Sequence, residues 1–402
     1  MSSILLLVLL PFSSYIASLP IIRDEWQMSN AQAAVVFSAY LIGYAVSSLV
    51  LVPLTDRISP ERVLLISVFV IAASNLLFPV LARDLWSGSL LRLIAGAGHV
   101  GVYIPGIQLV SLRFPGSRRG TAVGIFVGTG YAGTTLSYIF MGQLLNTTDS
   151  WREAYFITAL VGLIGVALAY FHMRGHATAR ATAERQPPNG RLNLEMLRDK
   201  SMVLVILAYA LHTAELYLAR LWLPLLLGAA FVQTGKAPLE AAALAATLSG
   251  VMFMMGIGGV FLGGMLSDYI GRSAGAAIIF FLSGACSFAA GWLVGVPPAF
   301  LIGLGFFYGF ITAADSAIYS IAVVELAKKN RIGSTQAIQS FIGFGIGAIA
   351  PVAAGSILDV ATSASRWGLA FSFNGALAVL GVGALLWLRR LPKARQMASG
   401  KR

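Results

Sequence analysis

The sequence predicts an all-α polytopic membrane protein, with twelve transmembrane helices in two pseudo-symmetric six-helix bundles. Three observations carry that expectation. Of 402 residues, 57% are apolar and only 11% are charged, against about 25% charged in soluble domains. Apolar runs longer than ~18 residues, the length that spans a bilayer as a helix, recur along the whole chain. The runs fall in two sets of six around one polar segment, residues 174–200, and the two sets repeat one another.

In order, the spans lie at about 3–22, 33–54, 62–82, 86–110, 120–145, 153–173, 202–229, 240–266, 274–296, 298–326, 333–358 and 366–388. The first has neither the basic start nor the small-residue cleavage site of a signal peptide, so it counts as a span. The segment RGHATARATAERQPPNGR has no apolar periodicity and reads as a linker; LNLEMLRDK after it reads as a short surface helix. The units are 1–173, an N-terminal half; 174–200, the linker; and 201–402, a C-terminal half with a short basic tail.

The net charge of +12 is distributed in a telling way. With the N-terminus inside and loops assigned alternately to two sides, 21 of the 28 Lys and Arg fall inside and five outside; Arg92 and Arg220 remain within spans. That is the positive-inside bias, and it places both termini and the linker in the cytoplasm, here of a bacterial inner membrane. The basic excess is topological and calls for no nucleic acid. The single cysteine, Cys286, lies in span 9, so no internal disulfide can form. No phosphate-binding loop, zinc spacing or hydrolase motif occurs, and GVFLGG lacks the Lys-Ser/Thr of a nucleotide loop. The expectation is no enzyme, no cofactor and no metal; Met252, Met254 and Met255 read as core packing rather than a copper site.

The repeat has a nearly constant offset. Gly120, Gly130 and Gly142 lie 213 positions before Gly333, Gly343 and Gly355; PLTDR near Asp56 aligns with MLSDY near Asp268 at 212; WREAYF aligns with WGLAF at 216. Together these indicate duplication. The loop after span 8, GMLSDYIGRS, carries Gly264, Leu266, Asp268, Gly271 and Arg272. Its first copy keeps Leu54, Asp56 and Arg57, with Val52 and Ser59 in place of glycines. Span 4 carries Arg92, Gly96 and Gly98 in an R-x-x-x-G-x-G pattern. On these motifs the whole chain resembles the major facilitator superfamily. The resemblance implies alternating-access transport, with Asp56, Arg57, Asp268 and Arg272 as gating residues. The stretch HTAELYLARLWLP is similar to the seventh helix of the nitrate/nitrite- and cyanate-porter-like branch. The arginines that nitrate porters carry in spans 2 and 8 are absent here, which argues against nitrate.

Ionisable side chains in hydrocarbon are costly and mark functional paths. Six lie well inside spans: Arg92 and His99 in span 4, His212, Glu215 and Arg220 in span 7, and Asp315 in span 10. If each half is two inverted three-helix units, spans 1, 4, 7 and 10 are equivalent first members, which in the superfamily line the central cavity. At about 100° per residue, Arg92, Gly96, His99 and Tyr103 share one face of span 4, and Tyr308, Thr312, Asp315 and Tyr319 share one face of span 10. Glu215 and Arg220 are about 140° apart and cannot pair within a straight helix; Pro224 is expected to break span 7 just beyond. Ser14 and Ser18 offer neutral donors on span 1.

The function expected is a secondary transporter that moves a small polar, anionic organic solute by rocking of its halves, as a monomer in the lipid bilayer. Arg92, His99, Tyr103, His212, Glu215, Arg220, Tyr308, Asp315 and Tyr319 are the substrate-binding candidates. An arginine holds a carboxylate bidentately, while a carboxylate in low dielectric can take up a proton at physiological pH. Glu215 and Asp315 are therefore the proton-coupling candidates. Family drug/proton antiporters resemble G-x-x-x-G-P-x-x-G-G in span 5; GIFVGTGYAG keeps Gly124, Gly128 and Gly133 but has Thr129 for the proline and Ala132 for a glycine, which favours uptake. Efflux of amphipathic compounds is the runner-up. A non-transporting sensor lacks an output module here, and a lipid translocase leaves no signature in the sequence.

Overall fold

The computed structural model describes residues 1–54, 58–114, 118–148, 150–174, 194–328 and 331–401. Its helices are α1 (Ser2–Leu9), α2 (Ser14–Ala17), α3 (Leu19–Glu25), α4 (Asn30–Leu54), α5 (Pro60–Leu81), α6 (Leu85–Arg113), α7 (Arg119–Leu145), α8 (Trp151–Arg174), α9 (Lys200–Gln233), α10 (Pro238–Ile270), α11 (Arg272–Trp292), α12 (Pro298–Ala314), α13 (Ser316–Leu326), α14 (Ile332–Val360) and α15 (Arg366–Arg390). Short 3-10 segments follow the linker at Leu194–Arg198 and end the chain at Pro392–Gly400. Among the described residues, ten helices are long and apolar enough to cross a membrane, and the bent α1–α3 run makes an eleventh. The 27-residue α7 occupies the expected fifth span and completes twelve. The protein is an integral multi-pass membrane protein.

Two spans are interrupted. Span 1 breaks between α1 and α2, beside Pro11, and bends by 56° at α3, which carries Pro20 near its start. Span 10 breaks at Asp315, which ends α12 and starts α13. Span 7 does the opposite of what its proline suggested, because α9 runs unbroken through Pro224. A proline inside a helix strips the carbonyl four residues earlier of its partner. Here that carbonyl belongs to Arg220, and the Tyr138 hydroxyl of α7 donates to it at 2.7 Å. The orphan is satisfied from a neighbouring helix, so the helix continues.

Helices α4, α5, α6 and α8 pack together with α1 and α7; α9 to α15 form the second group. Each group contains a glycine-mediated crossing. A Cβ on Gly96 of α6 would sit 1.9 Å from the Tyr40 carbonyl of α4, and one on Gly309 of α12 would sit 2.1 Å from the Met252 carbonyl of α10. Met252 is buried in this packing. The groups meet where α4 packs on α14 and α7 on α10.

Helix alternation defines two faces. One carries the ends of α8 and the start of α9, and is called the linker face. At the far face the seam between the groups is closed. Asp359 at the end of α14 accepts from the backbone N–H of Asn30 (2.8 Å) and Ala31 (2.9 Å) and from the Asn30 side chain (2.8 Å). It caps α4, whose first N–H groups have no partner within the helix. At the same face, Gly142 of α7 lies against Ala243 and Thr247 of α10.

Candidate functional site

The structure divides the expected site residues among three places. The first is an aromatic box in the N-terminal group. Arg92 is fully buried, and its Nη2 donates to the Phe12 carbonyl at 3.2 Å. Its guanidinium carbon lies 4.6 Å from the ring centre of Tyr40 and 5.8 Å from those of Phe12 and Tyr15, a cation–π cradle. Nε and Nη1 have no hydrogen-bond partner, nor does the Tyr40 hydroxyl.

The second place is the seam. His99 lies among the rings of Tyr44 (5.2 Å), Tyr40 (5.8 Å) and Tyr103 (6.2 Å), and its buried Nδ1 has no partner. Tyr44 stacks on Phe344 of α14 at 4.0 Å, and Phe344 meets Tyr217 of α9 at 5.6 Å. Arg220 reaches from α9 to α7, where it lies 4.8 Å from the Tyr131 ring centre and its Nη1 donates to Thr134 at 3.4 Å. Its Nε and the Tyr131 hydroxyl are buried and unpartnered. Among the described residues, neither Arg92 nor Arg220 has a carboxylate within ion-pair distance. Glu215 is not the counter-ion of Arg220: the two point to different helices, as their angular separation requires.

The third place is a polar cluster inside the C-terminal group. Glu215 accepts from Ser283 of α11 (2.5 Å), Tyr308 (3.3 Å) and Thr312 (3.5 Å) of α12, and is fully buried. Asn374 of α15 donates to the Tyr308 hydroxyl at 3.0 Å and to the Glu215 backbone carbonyl at 3.4 Å. One turn away, His212 Nδ1 stands 3.0 Å from Asp315, and its Nε2 stands 2.8 Å from Ser316. Tyr319 donates to the other Asp315 oxygen at 2.6 Å. The break at Asp315 puts this carboxylate where α13 begins, a position that favours negative charge.

The N-terminal group has a muted counterpart. Arg92 and Tyr308 are 216 positions apart, as are Thr158 and Asn374. Where Asn374 serves Glu215, Thr158 shares a hydrogen bond of 3.0 Å with Ser14. Ser18, the other span-1 donor, is buried and unpartnered. The carboxyl cluster belongs to one half only.

Of the gating residues, Asp56 and Arg57 lie outside the described residues. Arg272 follows Gly271, whose φ of 99° is the left-handed geometry that turns α10 into α11. Its guanidinium bonds Asp268, Ser267 (2.8 Å) and Glu325 at the end of α13 (3.0 Å). The Ala398 N–H of the tail donates to Glu325 at 3.1 Å, Lys401 to the Asp268 carbonyl at 2.9 Å, and Lys393 to Asp199.

Sequence reading missed Ser283, Asn374, Ser316, Tyr131, Thr134 and Glu325. Asn374 had a signal, an amide within an apolar span. Ser283 had none, since serine is common in such helices. Cys286 is buried, and the described residues hold no cluster of metal-ligating side chains.

The comparisons agree with this architecture. The family model described as Major Facilitator Superfamily matches residues 1–296. Similar curated proteins include the hexuronate transporter of Bacillus subtilis (22% identical, over 90% of this chain and 86% of the relative). A probable L-galactonate transporter of Escherichia coli is 25% identical over 92% and 84%, and a probable sulfoacetate transporter of Cupriavidus necator is 26% identical over 91% and 86%. Among solved structures, the bacterial homolog of the human lysosomal transporter Spinster, inward-facing and occupied, superposes with a TM-score of 0.72 at 13% identity, covering 97% of this chain and 95% of that one. The nucleoside transporter NupG gives 0.70 at 14%, covering 97% and 98%.

Proposed function

The chain belongs to the Major Facilitator Superfamily, and from that membership we propose that it takes up a small organic acid together with protons, by alternating access of its two halves. That it is a solute transporter rather than an enzyme follows from the family and its relatives. The anionic solute is supported chiefly by one observation: two arginines are buried with unsatisfied N–H groups and, among the described residues, no carboxylate beside them. A buried guanidinium without an anion is costly, and a solute carboxylate would supply one. Arg220, on the seam with Tyr131, Tyr103 and His99, is the primary contact. The names of the relatives, which refer to uronic, aldonic and sulfonic acids, support the same class.

Glu215 is the proton carrier in this reading. Its partners are hydroxyl groups, which serve a carboxylate and a carboxylic acid alike. Asp315, held by His212 and Tyr319, is the neighbouring acid. The moving units are 1–173 and 201–402, joined by the linker, with both termini in the cytoplasm of a bacterium.

Liposomes containing the purified protein test this. Galacturonate, galactonate or glucarate should accumulate when the outside is acidified, and Glu215→Gln should abolish uphill accumulation while leaving counterflow exchange. Failure to move any of these acids, alongside export of an amphipathic cation, would sink the proposal.

A further inference from the structure

Each hydrogen around Glu215 can be followed. Asn374 Nδ2 donates to the Tyr308 hydroxyl oxygen at 3.0 Å. Tyr308 then has one proton to give: Glu215 Oε1 accepts it at 3.3 Å, while Ser287, also beside the phenol, gives its own proton to the Phe371 carbonyl at 3.0 Å. Ser283 donates to the same oxygen at 2.5 Å. Oε1 is thus filled as an acceptor. Among the described residues, Oε2 is hydrogen-bonded by Thr312 Oγ1 alone, at 3.5 Å. A threonine hydroxyl within a helix can turn its own proton to the carbonyl four residues back, so Thr312 can donate to a carboxylate or accept from an acid. The five side chains are at most 1% exposed, and they come from α9, α11, α12 and α15. Turning one hydroxyl lets the cluster hold Glu215 in either protonation state without a counter-ion.

We propose that Asn374 is the positioning residue of this proton site: by donating to Tyr308 it aims the phenol's single proton at Oε1, and so leaves Oε2, opposite Thr312, as the oxygen that takes up the proton. This rests on Glu215 as the proton carrier. The other titratable groups near it are His212 on its own helix, 3.0 Å from Asp315; Cys286 on α11; Tyr308 on α12; and Asp315 and Tyr319 at the start of α13. Asn374, its partner from α15, does not titrate. Arg220 is directed to α7. None of these is hydrogen-bonded to Oε2, where Thr312 is the polar neighbour.

Infrared titration of the purified protein reads carboxyl protonation directly, even in variants that no longer transport. The protonated-carboxyl band missing from Glu215→Gln identifies the residue. Asn374→Leu removes the donor that orients Tyr308, and Tyr308→Phe removes the hydroxyl. Losing one donor to a charged group should raise the midpoint of that band by about one pH unit in each. Because both act through one hydrogen bond, the double variant should move it no further. Two shifts that add, or an unmoved midpoint in Asn374→Leu, would overturn the positioning role while leaving Glu215 as carrier. If no titrating band disappears in Glu215→Gln, the carrier reading itself fails. Should Asn374→Leu not fold, Tyr308→Phe still decides, since an unchanged midpoint there also refutes the link.

Discussion

Arg220 and Glu215 lie five positions apart on α9 and serve opposite sides of it. Glu215 turns into its own helix group; Arg220 crosses to α7, where Tyr131 lies beneath its guanidinium. If Arg220 holds the solute acid with a planar fork, Arg220→Lys keeps the charge but loses the fork and the ring contact. Solute affinity should then fall about 10- to 100-fold, the cost of a charge-assisted bond worth ~1.5–3 kcal/mol, with a melting temperature close to that of the parent. Calorimetric titration with galacturonate checks this; an unchanged affinity would remove Arg220 from recognition. Tyr138 of α7 gives a structural test of α9. Tyr138→Phe leaves the Arg220 carbonyl, deprived of its helical donor by Pro224, without a partner, and should cost about 1–3 kcal/mol in unfolding experiments.

Helix crossings depend on what the backbones can approach. At Gly309 the Met252 carbonyl occupies the space a Cβ would need, whereas a Cβ on Gly128 of α7 would meet nothing within 4 Å. Gly309→Ala should therefore push α12 from α10 and lower stability by about 1–3 kcal/mol. Gly128→Ala should be neutral or slightly stabilising. Melting curves in detergent compare the two, and equal effects would mean that the crossing has slack. Together, α12 and α13 show what a broken span supplies. The interruption places Asp315 at the start of a new helix, beside His212 and within reach of Tyr319 one turn on.

Across the whole molecule, the far face is closed at two helix pairs, α4 on α14 and α7 on α10, and Asp359 serves the first. Asp359 caps α4 from the other helix group, replacing water at two backbone N–H groups. Asp359→Ala removes that cap only in the closed arrangement, so it should shift the population towards the open far face. A capping loss of ~1 kcal/mol corresponds to about a fivefold change in ratio. Spin-label distances between α4 and α14 at that face measure it, and an unaltered distribution would show that other contacts carry the closure. Orientation has its own test. A cysteine in place of Asn189 should be labelled from the cytoplasmic side only, with Cys286 buried as the silent background.

The number of spans, the duplication and the six embedded charges were all legible in the sequence, because a bilayer imposes one length on apolar helices and makes each ionisable exception conspicuous. Angular spacing alone showed that Glu215 and Arg220 could not pair. Partner choice was not legible. Nothing in a serine on α11 or an asparagine on α15 says that they converge on a glutamate 68 and 159 positions earlier. Pro224 was misleading for the same reason: the residue that rescues its lost hydrogen bond, Tyr138, lies on another helix. Local chemistry decided where the helices are and which side chains needed company; only the packing of helices distant in sequence decided which company they found.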